Sequence, residues 1–293
     1  MSPESRSKTA AAVGSLAALA IAWGMIPLIV REDVPATHLV AMRITFGAVV
    51  LVAFAAATGQ LSLPRGQWKG VVTLGVVLAA HWLSFFLAIK LTTVAVALAV
   101  VYLGPVLAAV LAGPILRESV SRQAALGLGL AVAGMFLVVR PGSGATVEGV
   151  AAGVVSGVLL AAIMIIGKPL AGHLGGFAVA TWELIVASAL LIPYTVQAVR
   201  FSSGHWFEFV VLGALFTGVA GVVYWTSMRA LPVAVVSVIM YLEPASAVVW
   251  AALFLSERPD ALTWIGVAVV IAAGTIATRG VSGEEVVGVT EAL

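Results

Sequence analysis

The chain has 293 residues, of which 62% are hydrophobic and 10% charged, with a formal net charge of +2 and a mean hydropathy of +1.15. A water-soluble domain of this size carries roughly a quarter charged residues on its surface, so the composition excludes one and puts the lipid bilayer around the chain. The basic residues are too scattered to form a nucleic-acid stripe, and with no cysteine there are no disulfides, thiolate metal sites or cysteine nucleophiles.

A crossing helix needs about 20 mostly apolar residues. After a short polar start, Ser2 to Lys8, the first such run is Ala10–Val30; it lacks a clean A-x-A cleavage pattern and reads as a retained helix rather than a signal peptide. Nine more follow: His38–Ala57, Trp68–Ile89, Val94–Leu116, Arg122–Val139, Val147–Gly167, Gly176–Val199, Trp206–Met228, Val233–Leu255 and Leu262–Thr278. Trp68, Trp206 and Trp264 stand near span ends, as interfacial belt residues do. Connections are mostly under about 12 residues, so function falls to the helices themselves. An acidic tail with Glu284, Glu285 and Glu291 closes the chain. A cytoplasmic N-terminus places Arg6, Lys8, Arg65, Lys69, Arg117, Arg122, Lys168, Arg229 and Arg279 inside, against Arg31, Lys90, Arg140, Arg200 and Arg258 outside. The positive-inside rule therefore favours both termini in the cytoplasm, with most of the bias in the first half.

The fourth and ninth runs are related. "YLGPVLAAVLAGPILRE" (Tyr102–Glu118) and "YLEPASAVVWAALFLSE" (Tyr241–Glu257) share Tyr-Leu-x-Pro and the closing Glu at an offset of 139 residues. The same offset carries Gly127 onto Gly266, and Gly14, Ala18 and Ala22 onto Gly153, Gly157 and Ala161, a stripe of small residues that lets helices approach. Two copies of a five-helix unit are the simplest reading, and because five is odd the second copy enters the membrane inverted. The expected fold is an all-α integral membrane protein: a cytoplasmic segment 1–9, a first five-helix repeat 10–140, a second 147–279 and a cytoplasmic tail 280–293, ten helices around a central cavity.

Inverted repeats let two halves exchange conformations and open one midplane site to each side in turn, which points to a carrier. The site is expected where both halves carry corresponding Gly/Pro interruptions, here Gly104-Pro105 and Glu243-Pro244. At ~1.5 Å per residue both lie near the middle of a ~30 Å core. Each proline leaves the carbonyl four residues earlier, Val101 or Met240, without its helical donor, and such a carbonyl finds a partner at a cavity or from a neighbouring helix.

With its ten helices and the paired "YL[GE]P…[RS]E" segments, the whole chain resembles the EamA-type branch of the drug/metabolite transporter superfamily, and "HWLSFF" (His81–Phe86) looks closest to the bacterial aromatic amino-acid exporters of the YddG type. The resemblance implies a basket of helices around a cavity in the bacterial inner (plasma) membrane, both ends cytoplasmic, and export of aromatic and other neutral amino acids. Within the superfamily the alternative is a multidrug or other metabolite exporter; a channel-like facilitator fits the architecture nearly as well.

Substrate contacts are sought among polar and aromatic residues near the midplane. His81 shares a helix face with Phe85 and either meets substrate or is satisfied by a neighbouring backbone. Tyr102 and Tyr241 stand one turn before the prolines, with core packing as the competing role. Trp23 and Trp182 offer stacking faces or pack. Arg43 lies about 8 Å into its span and either snorkels or reaches Glu243 as a buried charge pair. Glu183 binds a substrate ammonium or pairs across helices. Glu243 itself costs on the order of 2–3 kcal/mol at the midplane and so requires a use. The chain has no H-E-x-x-H, no carboxylate pair at metal spacing and no G-x-S-x-G, so no enzyme activity, metal or cofactor is expected. The expected partners are the bilayer and a small-molecule substrate, with monomer and homodimer both open.

Overall fold

The computed structural model describes residues 3–29, 34–60, 65–139, 146–201, 204–256 and 258–279. In lipid every backbone polar group must be satisfied within its own segment, so apolar runs become helices. Among the described residues ten helices are long and apolar enough to span, and there is no strand. Val30, Arg31, Arg140, Glu257 and the acidic tail lie outside the described residues.

The first half comprises α1 (Pro3–Trp23) with the short α2 (Ile26–Ile29), α3 (Ala36–Thr58), α4 (Trp68–Leu91), α5 (Val94–Val101) continued by α6 (Leu103–Leu116), and α7 (Arg122–Val139). The second comprises α8 (Val147–Leu174), α9 (Gly176–Phe201), α10 (Trp206–Gly213) leading through a π-helical segment (Ala214–Val219) into α11 (Ala220–Ala230), α12 (Val233–Met240) continued by α13 (Leu242–Phe254), and α14 (Ala261–Arg279). Ends are set by local chemistry. Thr93 and Thr146 accept the backbone N–H groups of Val96 and Gly149 at 3.2 and 3.1 Å, Asp260 accepts that of Thr263 at 2.9 Å, and α3 stops at Gly59, whose φ of 68° is the left-handed conformation glycine adopts freely.

The halves pack as a two-fold pair. α4 lies against α8 and its counterpart α11 against α1; α6 lies against α8 and α13 against α1; α3 meets α9, and α7 meets α14. Small residues permit this closeness. A Cβ on Gly104 would sit 2.5 Å from the carbonyl oxygen of Gly157, and one on Gly266 would sit 2.8 Å from that of Gly134. The small-residue stripe of the sixth span, Gly153 and Gly157, faces Val100 and Val101, as its pattern suggests. In the first span the contact shifts: Gly14 has no heavy atom near it, and Gly24 instead approaches the backbone of Glu243 and Ala247.

Three elements depart from the sequence reading. The first span breaks after Trp23, where Gly24 packs on α13 and Pro27 opens a new turn. The sixth span runs on to Leu174 with Lys168 and Pro169 inside it, because the Lys168 ammonium is matched by Glu118 at 2.9 Å and donates to the carbonyls of Met228 and Leu231, so the charge does not mark a helix end. The eighth span holds the π segment, which pattern alone does not announce.

Candidate functional site

The fourth and ninth spans break at Tyr102 and Tyr241, one turn before Pro105 and Pro244. The breaks touch across the two-fold. The Tyr241 hydroxyl donates to the Tyr102 carbonyl at 2.6 Å, the rings lie 5.5 Å apart edge to face, and the Ser237 hydroxyl donates to the Pro105 carbonyl at 2.8 Å. Side chains of the second half thus hold the backbone of the first half's break. Glu243 falls in the first turn of α13, where the free N–H groups and the dipole favour a carboxylate.

Beside the breaks lies a chamber with about 1080 Å³ of empty space, the open solvent at its mouth included. Val101 and Met240, whose carbonyls the prolines release, are both on its wall. Its surface is mainly apolar, with aromatic rings from Trp23, Trp82, Phe85, Tyr102, Phe216, Tyr224 and Trp225, and its polar groups are Arg43, His81, Glu183, Thr217 and Glu243.

Of the residues anticipated at the substrate, Trp23, His81, Tyr102, Pro105 and Glu243 meet at this wall. The Tyr102 hydroxyl is directed at the Glu243 carboxyl group. His81 Nδ1 lies 3.0 Å from the carbonyl oxygen of Ser156 and 3.0 Å from its hydroxyl oxygen. The Ser156 hydroxyl donates to the His81 carbonyl at 3.2 Å. The ring is therefore oriented by α8 and lies parallel to Phe85, with 6.4 Å between the ring centres. His81 thus has the backbone partner considered for it and also stands on the chamber wall.

Other anticipated residues lie elsewhere. Tyr241 is 1% exposed and off the wall, its hydroxyl engaged at Tyr102. Trp182 packs edge to face on Trp68 at 5.1 Å rather than on the chamber. Gly104 is fixed against Gly157, and Pro244 is buried behind the wall. Arg43 and Glu243 share the chamber and each acts on the other's charge, with no direct hydrogen bond between them among the described residues. Arg43 Nε donates to Thr217 Oγ1 at 3.0 Å and Nη2 to the Phe216 carbonyl at 3.4 Å, and its guanidinium carbon lies 4.3 Å from the centre of the Trp82 ring. The π segment makes this possible, since its widened turn turns the Phe216 carbonyl toward side chains, and Trp23 Nε1 also donates to it at 3.0 Å.

Sequence reasoning missed Trp82, Phe216, Thr217, Tyr224 and Trp225. The available signal was Gly47 against Gly213 and Gly218: a Cβ on Gly47 would come 3.1 Å from the Gly213 carbonyl oxygen and 3.2 Å from the Gly218 nitrogen, which brings the π segment up to Arg43. Glu183 is 5% exposed; its Oε1 accepts the indole N–H of Trp225 and its Oε2 has no hydrogen-bond partner.

A sequence model described as the EamA-like transporter family matches residues 10–140 and again residues 147–279. The chain is 24% identical over 252 residues to the uncharacterized transporter YxxF of Bacillus subtilis (strain 168), across 83% of this chain and 81% of that protein. It is 26% identical over 238 residues to an uncharacterized transporter of Archaeoglobus fulgidus, across 81% of this chain and 85% of that protein. A solved crystal structure superposes with a TM-score of 0.78 at 21% identity, covering 92% of this chain and 98% of its own, a likeness of fold.

Proposed function

The chain belongs to the EamA-like transporter family, and on that footing we propose that it is a carrier exporting small metabolites, aromatic and other neutral amino acids foremost, by alternating access through the chamber. It is a multi-pass integral membrane protein. The observation that carries the reading is the coincidence of the two repeat-related helix breaks with one aromatic, polar-studded chamber between the halves. Trp23, Tyr102 and Phe85 supply faces for an aromatic or apolar side chain. His81 and Glu243 supply an imidazole and a charge for the substrate's polar end. The likeness of "HWLSFF" to aromatic amino-acid exporters supports an aromatic cargo, since His81, Trp82 and Phe85 all stand on this wall. Residues 10–140 and 147–279 act as the two moving repeats. The basic-residue bias supports a bacterial plasma membrane location with both termini cytoplasmic.

Purified protein in proteoliposomes loaded with unlabelled L-phenylalanine is expected to accumulate labelled L-phenylalanine in a saturable manner, faster with internal substrate than without. Flux that neither saturates nor responds to internal substrate would make it a channel. Saturable flux of organic cations with none of amino acids would make it a drug exporter.

A further inference from the structure

The chamber contains two carboxylates and one guanidinium, and the three are unequally engaged. Arg43 is held by Thr217, the Phe216 carbonyl and the face of Trp82. Glu243 stands at a helix N-terminus with the Tyr102 hydroxyl directed at it. Glu183 has one oxygen on the indole N–H of Trp225 and the other, Oε2, without any hydrogen-bond partner, although the side chain is 5% exposed and belongs to the chamber wall. A carboxylate inside a membrane with half its acceptor capacity unused marks a place where a cation completes it. The adjoining side chains suit one: Tyr224 and Trp225 stand 5.0 Å apart edge to face, and Trp23 lies 6.1 Å from Tyr224, all three on the same wall. Aromatic rings beside a carboxylate recognise ammonium groups through their quadrupoles as well as the charge.

We propose that Glu183, with Trp225, Tyr224 and Trp23, binds the protonated amine of the substrate, so that the chamber selects amphipathic monoamines whether or not they bear a carboxylate. Arg43 is held to the wall through Nε and Nη2 on Thr217 and the Phe216 carbonyl, and recognition of the amine at Glu183 does not draw on it. This deepens the carrier reading by naming what the site requires of its cargo, and binding itself does not depend on transport.

The test uses the full chain in lipid nanodiscs with 2-phenylethylamine, L-phenylalanine and the amine-free 3-phenylpropionate, read by calorimetry and by the tryptophan fluorescence of Trp225 and its neighbours. The wild type is expected to bind the first two and not the third. Glu183→Gln keeps an acceptor for the indole N–H and removes the charge, so it should weaken 2-phenylethylamine by roughly tenfold or more while melting as the wild type does. Trp225→Phe removes the indole donor and keeps the carboxylate, and should weaken the amine less than Glu183→Gln does. Binding of 3-phenylpropionate as tight as that of 2-phenylethylamine overturns the proposal in the wild type alone, whatever the variants' folding. Unchanged amine affinity in Glu183→Gln overturns it too, including where that variant loses only its response to a pH gradient and so carries a proton instead. Amine binding without flux in proteoliposomes would sink the carrier reading and leave this site standing.

Discussion

Glu243 is tolerated in the middle of an apolar span because the span is two helices there. Its carboxyl group stands in the first turn of α13, against the free N–H groups of a helix start, with the Tyr102 hydroxyl directed at it. Arg43 acts on that carboxyl group through its charge, while its hydrogen bonds go to Thr217 and the Phe216 carbonyl. Glu243→Gln keeps an acceptor for the tyrosine and removes the charge proposed to meet the substrate. It should therefore fold with an unchanged melting temperature and transport amino acids with an affinity weakened by roughly 1–2 kcal/mol, about tenfold. Parallel loss of melting temperature and transport would assign Glu243 to the break alone. Depth along a span was enough to find Trp23, His81 and Tyr102, since residues near the midplane of facing spans converge on one place. It did not separate Tyr102 from Tyr241, because which hydroxyl faces the chamber is decided by how two equivalent breaks dock, and that docking is asymmetric.

At the scale of elements, the informative joint is the buried pair Lys168–Glu118. Lys168 in α8 donates to the carbonyls of Met228 and Leu231 and meets Glu118 at 2.9 Å, while Glu118 Oε2 accepts the first N–H of α12, that of Val233, at 2.7 Å. The end of the fourth span, the sixth span and the turn into the ninth are thereby tied together, with side chains only 3% and 4% exposed. Because removing one member strands the other, Lys168→Met should cost about 3–5 kcal/mol. The double variant Lys168→Met, Glu118→Leu should recover part of that loss, its remaining deficit being the unsatisfied Val233 N–H at about 1–3 kcal/mol. Thermal unfolding in detergent measures both; a double variant no more stable than Lys168→Met would show the pair is not coupled. The prolines and the Tyr-Leu-x-Pro repeat made the helix breaks legible, since proline acts locally. Lys168 misled because a lysine in an apolar run ordinarily marks the water, and its neutralising partner is 50 residues away in sequence. The π segment was invisible for a related reason: its cause is the close crossing of Gly47 with Gly213 and Gly218, a contact between spans.

At the scale of the molecule, the two five-span halves pair α4–α8 with α11–α1 and α6–α8 with α13–α1, so each half presents to the other the same surfaces it receives. On the proposed carrier mechanism such a pair has two ways to lean, opening one chamber between the halves to one side or the other. The order of spans and their repetition were legible because hydropathy and period are written in the sequence; the chamber was not, since its wall is assembled from most of the spans at once. The absence of cysteine permits a direct measurement. Three single-cysteine variants are labelled with an impermeant thiol reagent from either face of sealed vesicles: Ser119→Cys and Ser256→Cys, exposed beyond the two breaks, and Leu160→Cys on the chamber wall. Ser256 is used because the neighbouring Asp260 caps α14. The account predicts that Ser119→Cys and Ser256→Cys label from opposite faces, and that Leu160→Cys labels from both faces and is protected by substrate. Labelling of Ser119→Cys and Ser256→Cys from the same face, or of Leu160→Cys from one face only, would contradict it.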